Sequence, residues 1–256
     1  MKKMILAVGG AAIALAAAVA GNCAWRLYQE AKDEQVYLEC TENYARIRQS
    51  GDVSSMYNGD GKLEVPVDFE RLQKGNPDIY AWITIPGVVD APVLQHATDD
   101  TYYQNHDAGG REEKSGAVFS ESLNHMDFSD SLTVLYGANT EGSSQFEGLF
   151  RYRDRQFLEE HSIVYIFTPD SVLQYRIFAA YRSDNRHLLM RFNQGAHEGN
   201  VRAFIKDILS RREMNAAVDR EAEVDTDDQF LTLSTHDYAG EEFRYLVQAY
   251  LQEKVT

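Results

Sequence analysis

Few side chains of this chain combine the residue type and spacing that covalent chemistry needs. Ser234 and His236 stand two residues apart in Leu233-Ser234-Thr235-His236, and on an extended strand that spacing turns both side chains to one face. A hydroxyl beside an imidazole could act as nucleophile and general base. His236 could also attack a carbonyl itself, but an acyl-imidazole is readily hydrolysed and the sequence offers no evident second base. Arg244, eight residues further on, carries a guanidinium with two possible uses. It could hold a peptide carbonyl or carboxylate, or be consumed in an ion pair with one of the chain's many acidic side chains.

Other chemistries are poorly supplied. The only thiols are Cys23 and Cys40, so neither a disulfide framework nor a cysteine-rich metal site can hold the rest of the chain together. Cys40 falls in phase with Tyr37, Tyr44 and Ile47 at helical spacing and reads as a packing residue. Asn22 before Cys23, where a lipidation motif wants a small residue, argues against lipid attachment. His96, His106, His125, His161, His187 and His197 show no HExxH or paired-ligand spacing, so no metal and no cofactor is expected. The formal charge is −15, with Lys and Arg scattered among Asp and Glu, which argues against a nucleic-acid partner.

The elements that must position Ser234, His236 and Arg244 are strands. Eight apolar and β-branched runs separated by turn signals read as strands: 81–85, 88–94, 117–120, 132–136, 163–168, 173–182, 230–235 and 244–251. Helical periodicity is expected over 69–74, 147–160 and 200–213. Many short strands with a few surface helices predict a mainly β fold, a barrel carrying helical insertions.

The amino-terminal end has another character. Lys2 and Lys3 precede an apolar run from Met4 to Ala20, extended through Trp25 to about the 20 residues that span a bilayer. The expected organisation is a signal anchor or transmembrane helix over 1–25, a helical stalk and connector over 26–65, and a domain over 66–256 held outside a cell membrane. Ala18-Val19-Ala20 has the small-x-small form of a cleavage site, so a cleaved signal peptide is the alternative.

The phrase Tyr80-Ala81-Trp82-Ile83-Thr84-Ile85-Pro86-Gly87, followed by Pro92-Val93-Leu94-Gln95, resembles the opening strands of class B sortases. Tyr102-Tyr103-Gln104-Asn105-His106-Asp107, Ser115-Gly116-Ala117-Val118-Phe119, Leu135-Tyr136-Gly137, Phe146 with Gly148-Leu149, and Leu231-Thr232-Leu233-Ser234-Thr235 then follow in that family's order. The resemblance runs from about Asp78 to Leu251. It implies a closed eight-stranded sortase-like β-barrel with an N-terminal helix and a helix in the connection between the sixth and seventh strands, here residues 183–229. His106 then reads as a feature of the fold family.

The resemblance also implies cysteine transpeptidase chemistry, in which a sorting signal is cut, held as a thioacyl-enzyme and passed to an amine on the cell wall or pilus. The family's cysteine ends the seventh strand, its proton-carrying histidine follows the fourth, and its charge-stabilising arginine lies on the eighth. At those positions this chain has His236, Ala138 and Arg244. A methyl group moves no proton and the reactive form of a cysteine is its thiolate, so thiol transpeptidation is excluded at this site. The reading is a membrane-anchored homologue lacking the catalytic His and Cys, a pseudosortase that binds a peptide or sorting-signal-like segment of an envelope protein. Two alternatives remain: a hydrolase or transpeptidase of altered chemistry using Ser234 and His236, and an envelope scaffold whose cleft is closed. The family pattern also has a serine at the Ser234 position, without a catalytic role.

Overall fold

The computed structural model describes residues 63, 65–139, 145–192, 197–238, 240 and 242–256. The anchor expected over 1–25, with Cys23, and nearly all of the stalk and connector expected over 26–65, with Cys40, lie outside the described residues. Among the described residues no helix is long and apolar enough to cross a membrane.

Among the described residues nine strands are present: β1 (Ile79–Ile85), β2 (Val89–Leu94), β3 (Val118–Phe119), β4 (Leu132–Tyr136), β5 (Ile163–Phe167), β6 (Val172–Asp184), β7 (Ala217–Val218), β8 (Phe230–His236) and β9 (Phe243–Val255). Their order in the sheet is β5-β1-β2-β3-β4-β8-β9-β6-β7, and a further β5–β6 pairing closes the first eight into a barrel. Closure leaves the eight barrel strands without a free edge. The ninth strand, β7, adds to β6 through two residue pairs only.

Alternation of side chains sorts the sequence into an interior and an outer wall. Leu231 and Leu233 of β8 join Tyr245, Val247 and Ala249 of β9 in the barrel interior. Leu246 and Tyr250 of β9 and Phe230 of β8 turn outward into a second cluster. That outer cluster is covered by the β6–β8 connection, whose helix Leu188–Phe192 places Leu189 and Phe192 on it and whose helix His197–Ser210 adds Val201, Ile205 and Ile208. Each of these large side chains contributes roughly 1.5–3 kcal/mol when fully buried. Together they press the connection against the barrel wall, beside the ends of β4, β8 and β9.

The helices depart from expectation in three places. One helix was implied in residues 183–229, whereas the connection holds two helices and β7. The five-residue Leu188–Phe192 is too short to show a helical period. The helix expected over 147–160 is instead a 3-10 turn, Glu147–Arg153, followed by a helix, Arg155–Glu160. Asp154 divides them because its backbone is extended (φ −88°, ψ 123°) and its carboxylate caps the second helix by accepting from the Gln156 N–H at 2.8 Å. The helix expected over 200–213 begins earlier, at His197, and ends at Ser210. The short helix near 69–74 is present as Phe69–Gly75, capped by Asp68.

Candidate functional site

The register of four adjacent strands assembles the site. Tyr136 of β4 pairs with Ser234 of β8, and Ser234 with Leu246 of β9. One step along, His236 pairs with Arg244, and Arg244 with Ser183 of β6. Ser234, His236, Arg244 and Leu246 therefore share the outer face of the barrel. They line a cavity of about 340 Å³ whose walls include Ala138, Glu121 and His187. The four positions singled out in the sequence, Ala138, Ser234, His236 and Arg244, all meet in this one cleft.

Close backbone packing sets the rim beside Ala138. The Gly137 N–H donates to Ser234 O at 3.2 Å and so prolongs the β4–β8 pairing, while Ala138 O accepts from the Phe146 N–H at 2.9 Å. A Cβ on Gly137 would stand 2.7 Å from the Phe146 ring. The Ala138 N–H donates to Gln145 Oε1 at 3.0 Å, and the Gln145 amide donates in turn to Gly116 O. Gly116 has φ +59°, and a Cβ there would come within 2.3 Å of Tyr103 O. Beyond Ala138, the Asn139 amide donates to His236 O and the Tyr238 hydroxyl donates to Asn139 O at 3.1 Å. The loop after β4 is thus tied to the end of β8.

The hydrogen bonds of the cleft bear on what its groups could do. Among the described residues the Ser234 hydroxyl makes no hydrogen bond, to His236 or to any other group, so a nucleophile–base contact is absent. Arg244 is half-buried, and among the described residues its guanidinium has neither hydrogen bond nor ion pair. Burial lowers its pKa from the usual value, against the opposing influence of Tyr136 and Glu121. The sequence left open whether Arg244 faces the groove or is spent in an ion pair. The geometry has it facing the groove.

Three further residues of the cleft escaped the sequence reading. Glu121 follows β3, and its Oε2 stands 2.8 Å from Nε2 of His187, on the opposite wall. Burial raises the Glu121 pKa, with His187 acting in the other direction. His187 Nδ1 accepts the Met190 N–H at 3.2 Å in the first turn of Leu188–Phe192. Tyr136 completes the group, its hydroxyl pKa raised by burial and by Glu121. Nothing in local spacing could have joined 121, 136 and 187: the β3–β4 pairing sets Phe119 against Tyr136, and the connection after β6 brings His187 to Glu121.

Asp237, next to His236, was also missed, although a charged residue just after a strand is a visible signal. Its side chain is 1% exposed. It accepts Arg182 Nε at 3.0 Å and Nη2 at 3.2 Å, and Arg153 Nη2 at 3.4 Å. This fork fixes the exit of β8 to β6 and to the 3-10 turn. His106 has a structural setting: its ring stacks on Tyr102 at 3.9 Å and its Nδ1 lies 2.8 Å from Tyr102 O. Among the described residues no cluster of three or more His, Cys, Asp or Glu side chains is placed to hold a metal ion.

No family model matches the chain. Sortase B of Listeria monocytogenes is 26% identical over 211 residues, covering 79% of this chain and 82% of that protein. The crystal structure of Staphylococcus aureus sortase B superposes with a TM-score of 0.68 at 23% identity, over 87% of this chain and 99% of that one. The S. aureus sortase B–substrate complex gives 0.66 at 21% identity, over 88% and 98%. The closed barrel, the order of the motif phrases along its strands and these likenesses agree: the chain has the sortase B fold, and its relatives support a class B sortase-like family for it.

Proposed function

We propose that this chain is a pseudosortase, anchored in a cell membrane by its amino-terminal apolar run, which binds a peptide segment of an envelope partner and does not cut it. One observation carries the reading. The positions at which the family holds its histidine and cysteine have Ala138 and His236, and both line an open cleft beside an intact Arg244. A methyl group and an imidazole in those places supply neither proton carrier nor thiolate. By analogy with hydrolytic triads, catalysis surviving such losses is a residual ~10³–10⁴-fold over water, too slow for wall anchoring.

Binding needs less than catalysis. The cleft volume of about 340 Å³ falls within the ~300–1,000 Å³ of ordinary ligand sites. A relative of the same fold is described with a substrate bound. The apolar run from Met4 to Ala20 behind Lys2 and Lys3 supports anchoring with the barrel outside the membrane.

The reading is tested by restoring the reactive groups. The double variant Ala138→His with His236→Cys is compared with the wild-type chain for cleavage of sorting-signal peptides. Cleavage by the variant alone supports an emptied site on a competent groove. Equal cleavage by the wild-type chain contradicts the reading.

A further inference from the structure

The cleft differs in charge from the protein around it. The chain as a whole carries −15, yet the cleft is lined by Lys114, Arg186, Arg191 and Arg244 against only Glu121 and Asp184. Both carboxylates are already engaged, Asp184 with Arg186 and Glu121 with His187. Among the described residues Lys114, Arg191 and Arg244 have no carboxylate partner within ion-pair distance. In a strongly acidic protein, three unpaired cations facing one cavity favour an anionic ligand.

Arg244 is the sharpest case. Partly burying a guanidinium without a partner is costly, and the cost is recovered only when an anion arrives. A planar guanidinium matches a carboxylate through two parallel N–H···O bonds, whereas a neutral peptide carbonyl offers one acceptor atom and no charge. The nearby carboxyl of Glu121 competes weakly, since burial favours its protonated form and its ionised form faces His187. On the same wall the Ser234 hydroxyl, also without a partner among the described residues, stands on the strand next to Arg244 and can donate to a second oxygen.

We infer that the cleft recognises a carboxylate presented by a bound peptide, with Arg244 as its anchor. This rests on the peptide-binding reading above and narrows it. The ligand is a peptide with a free carboxylate, at its C-terminus or on an Asp or Glu side chain, rather than an internal peptide bond held for cutting. Arg191 and Lys114, nearer the rim, steer the anion inward and respond to salt.

The test uses the full chain in detergent micelles and one randomised pentapeptide library, presented once with free C-terminal carboxylates and once as C-terminal amides. The inference predicts that free acids are retained at least roughly tenfold better than amides, or that Asp and Glu are selected at one internal position in both arms. The first outcome assigns the carboxylate to the C-terminus and the second to a side chain. Arg244→Gln abolishes the preference, and Arg244→Lys keeps part of it because charge survives without the fork. Should either variant fail to fold, a salt titration of the wild-type chain decides, since the preference must shrink as salt rises. Equal retention of acids and amides without acidic selection overturns the carboxylate and leaves the peptide-binding cleft standing. Retention of no peptide in either arm overturns both.

Discussion

Arg244 faces His236 across the antiparallel β8–β9 ladder, as direct partners at the open end of both strands. The pairing sets Arg244 and His236 side by side at the cleft that both line. Ala138 approaches from β4, held by the Gln145 amide and by the Phe146 N–H. Strand register and loop contacts thus hold all three positions in one cleft.

The frame depends on Asp237. Asp237→Ala removes a buried acceptor from Arg182 and Arg153, whose own side chains remain 35% and 39% exposed and so regain some hydration. The expected cost is about 2–3 kcal/mol, below the ~3–5 typical of a fully buried pair. Urea unfolding monitored by circular dichroism measures it. A change under about 0.5 kcal/mol, typical of an unremarkable surface position, would show that the fork is not structural.

Gly116 is required for the rim beside Ala138. Gly116→Ala places a Cβ 2.3 Å from Tyr103 O at φ +59°, so it is expected to cost at least about 2 kcal/mol, of which ~1–2 is the left-handed backbone alone. Gly199→Ala is the control, in the helix His197–Ser210 with nothing within 4 Å of its new Cβ. It should be neutral or stabilising by up to ~1 kcal/mol. Similar losses in both variants would contradict the assignment.

Glu121 predicts a pH dependence of defined sign. Its folded-state pKa is raised by burial, so the folded protein binds this proton more tightly than the unfolded chain. Its contribution is fully present below the unfolded carboxylate value and is lost as pH rises through the raised one. Relative to Glu121→Gln, the wild-type chain should therefore lose stability as pH climbs above the ordinary carboxylate range. Thermal melts of both proteins across that range read the difference, and the opposite slope would refute the burial argument.

Ser234 should be inert. With no hydrogen bond to His236, its hydroxyl has no base, and a fluorophosphonate probe is expected to leave the full chain unlabelled at a concentration that saturates a serine hydrolase. Labelling that disappears in Ser234→Ala would restore the altered-chemistry hydrolase.

Much of the barrel was legible because its strands are apolar or alternating runs bounded by turn residues, as in β1, where all seven residues are buried. Ala138, Ser234, His236 and Arg244, which meet in one cleft, could be singled out because Ala138 and His236 directly follow motif phrases, Ser234 lies within one and Arg244 stands near the start of the last strand. Glu121 and His187 were not, since their meeting depends on the register of the closed sheet and on how the β6–β8 connection lies against it. The strand β7 and the helix Leu188–Phe192 were missed for another reason: two and five residues are too few to display a period. The division of the 147–160 helix turned on the extended backbone of Asp154, where a capping side chain outweighs an otherwise helical pattern.

The central claim is tested most directly by the wild-type chain itself. Full-length protein in detergent micelles is incubated with fluorogenic sorting-signal peptides and triglycine as amine acceptor, and cleavage and transfer are followed by mass spectrometry. The account predicts binding without turnover, no thioester or other covalent adduct, and no transfer product. A transfer product formed by the wild-type chain and lost in His236→Ala would contradict it.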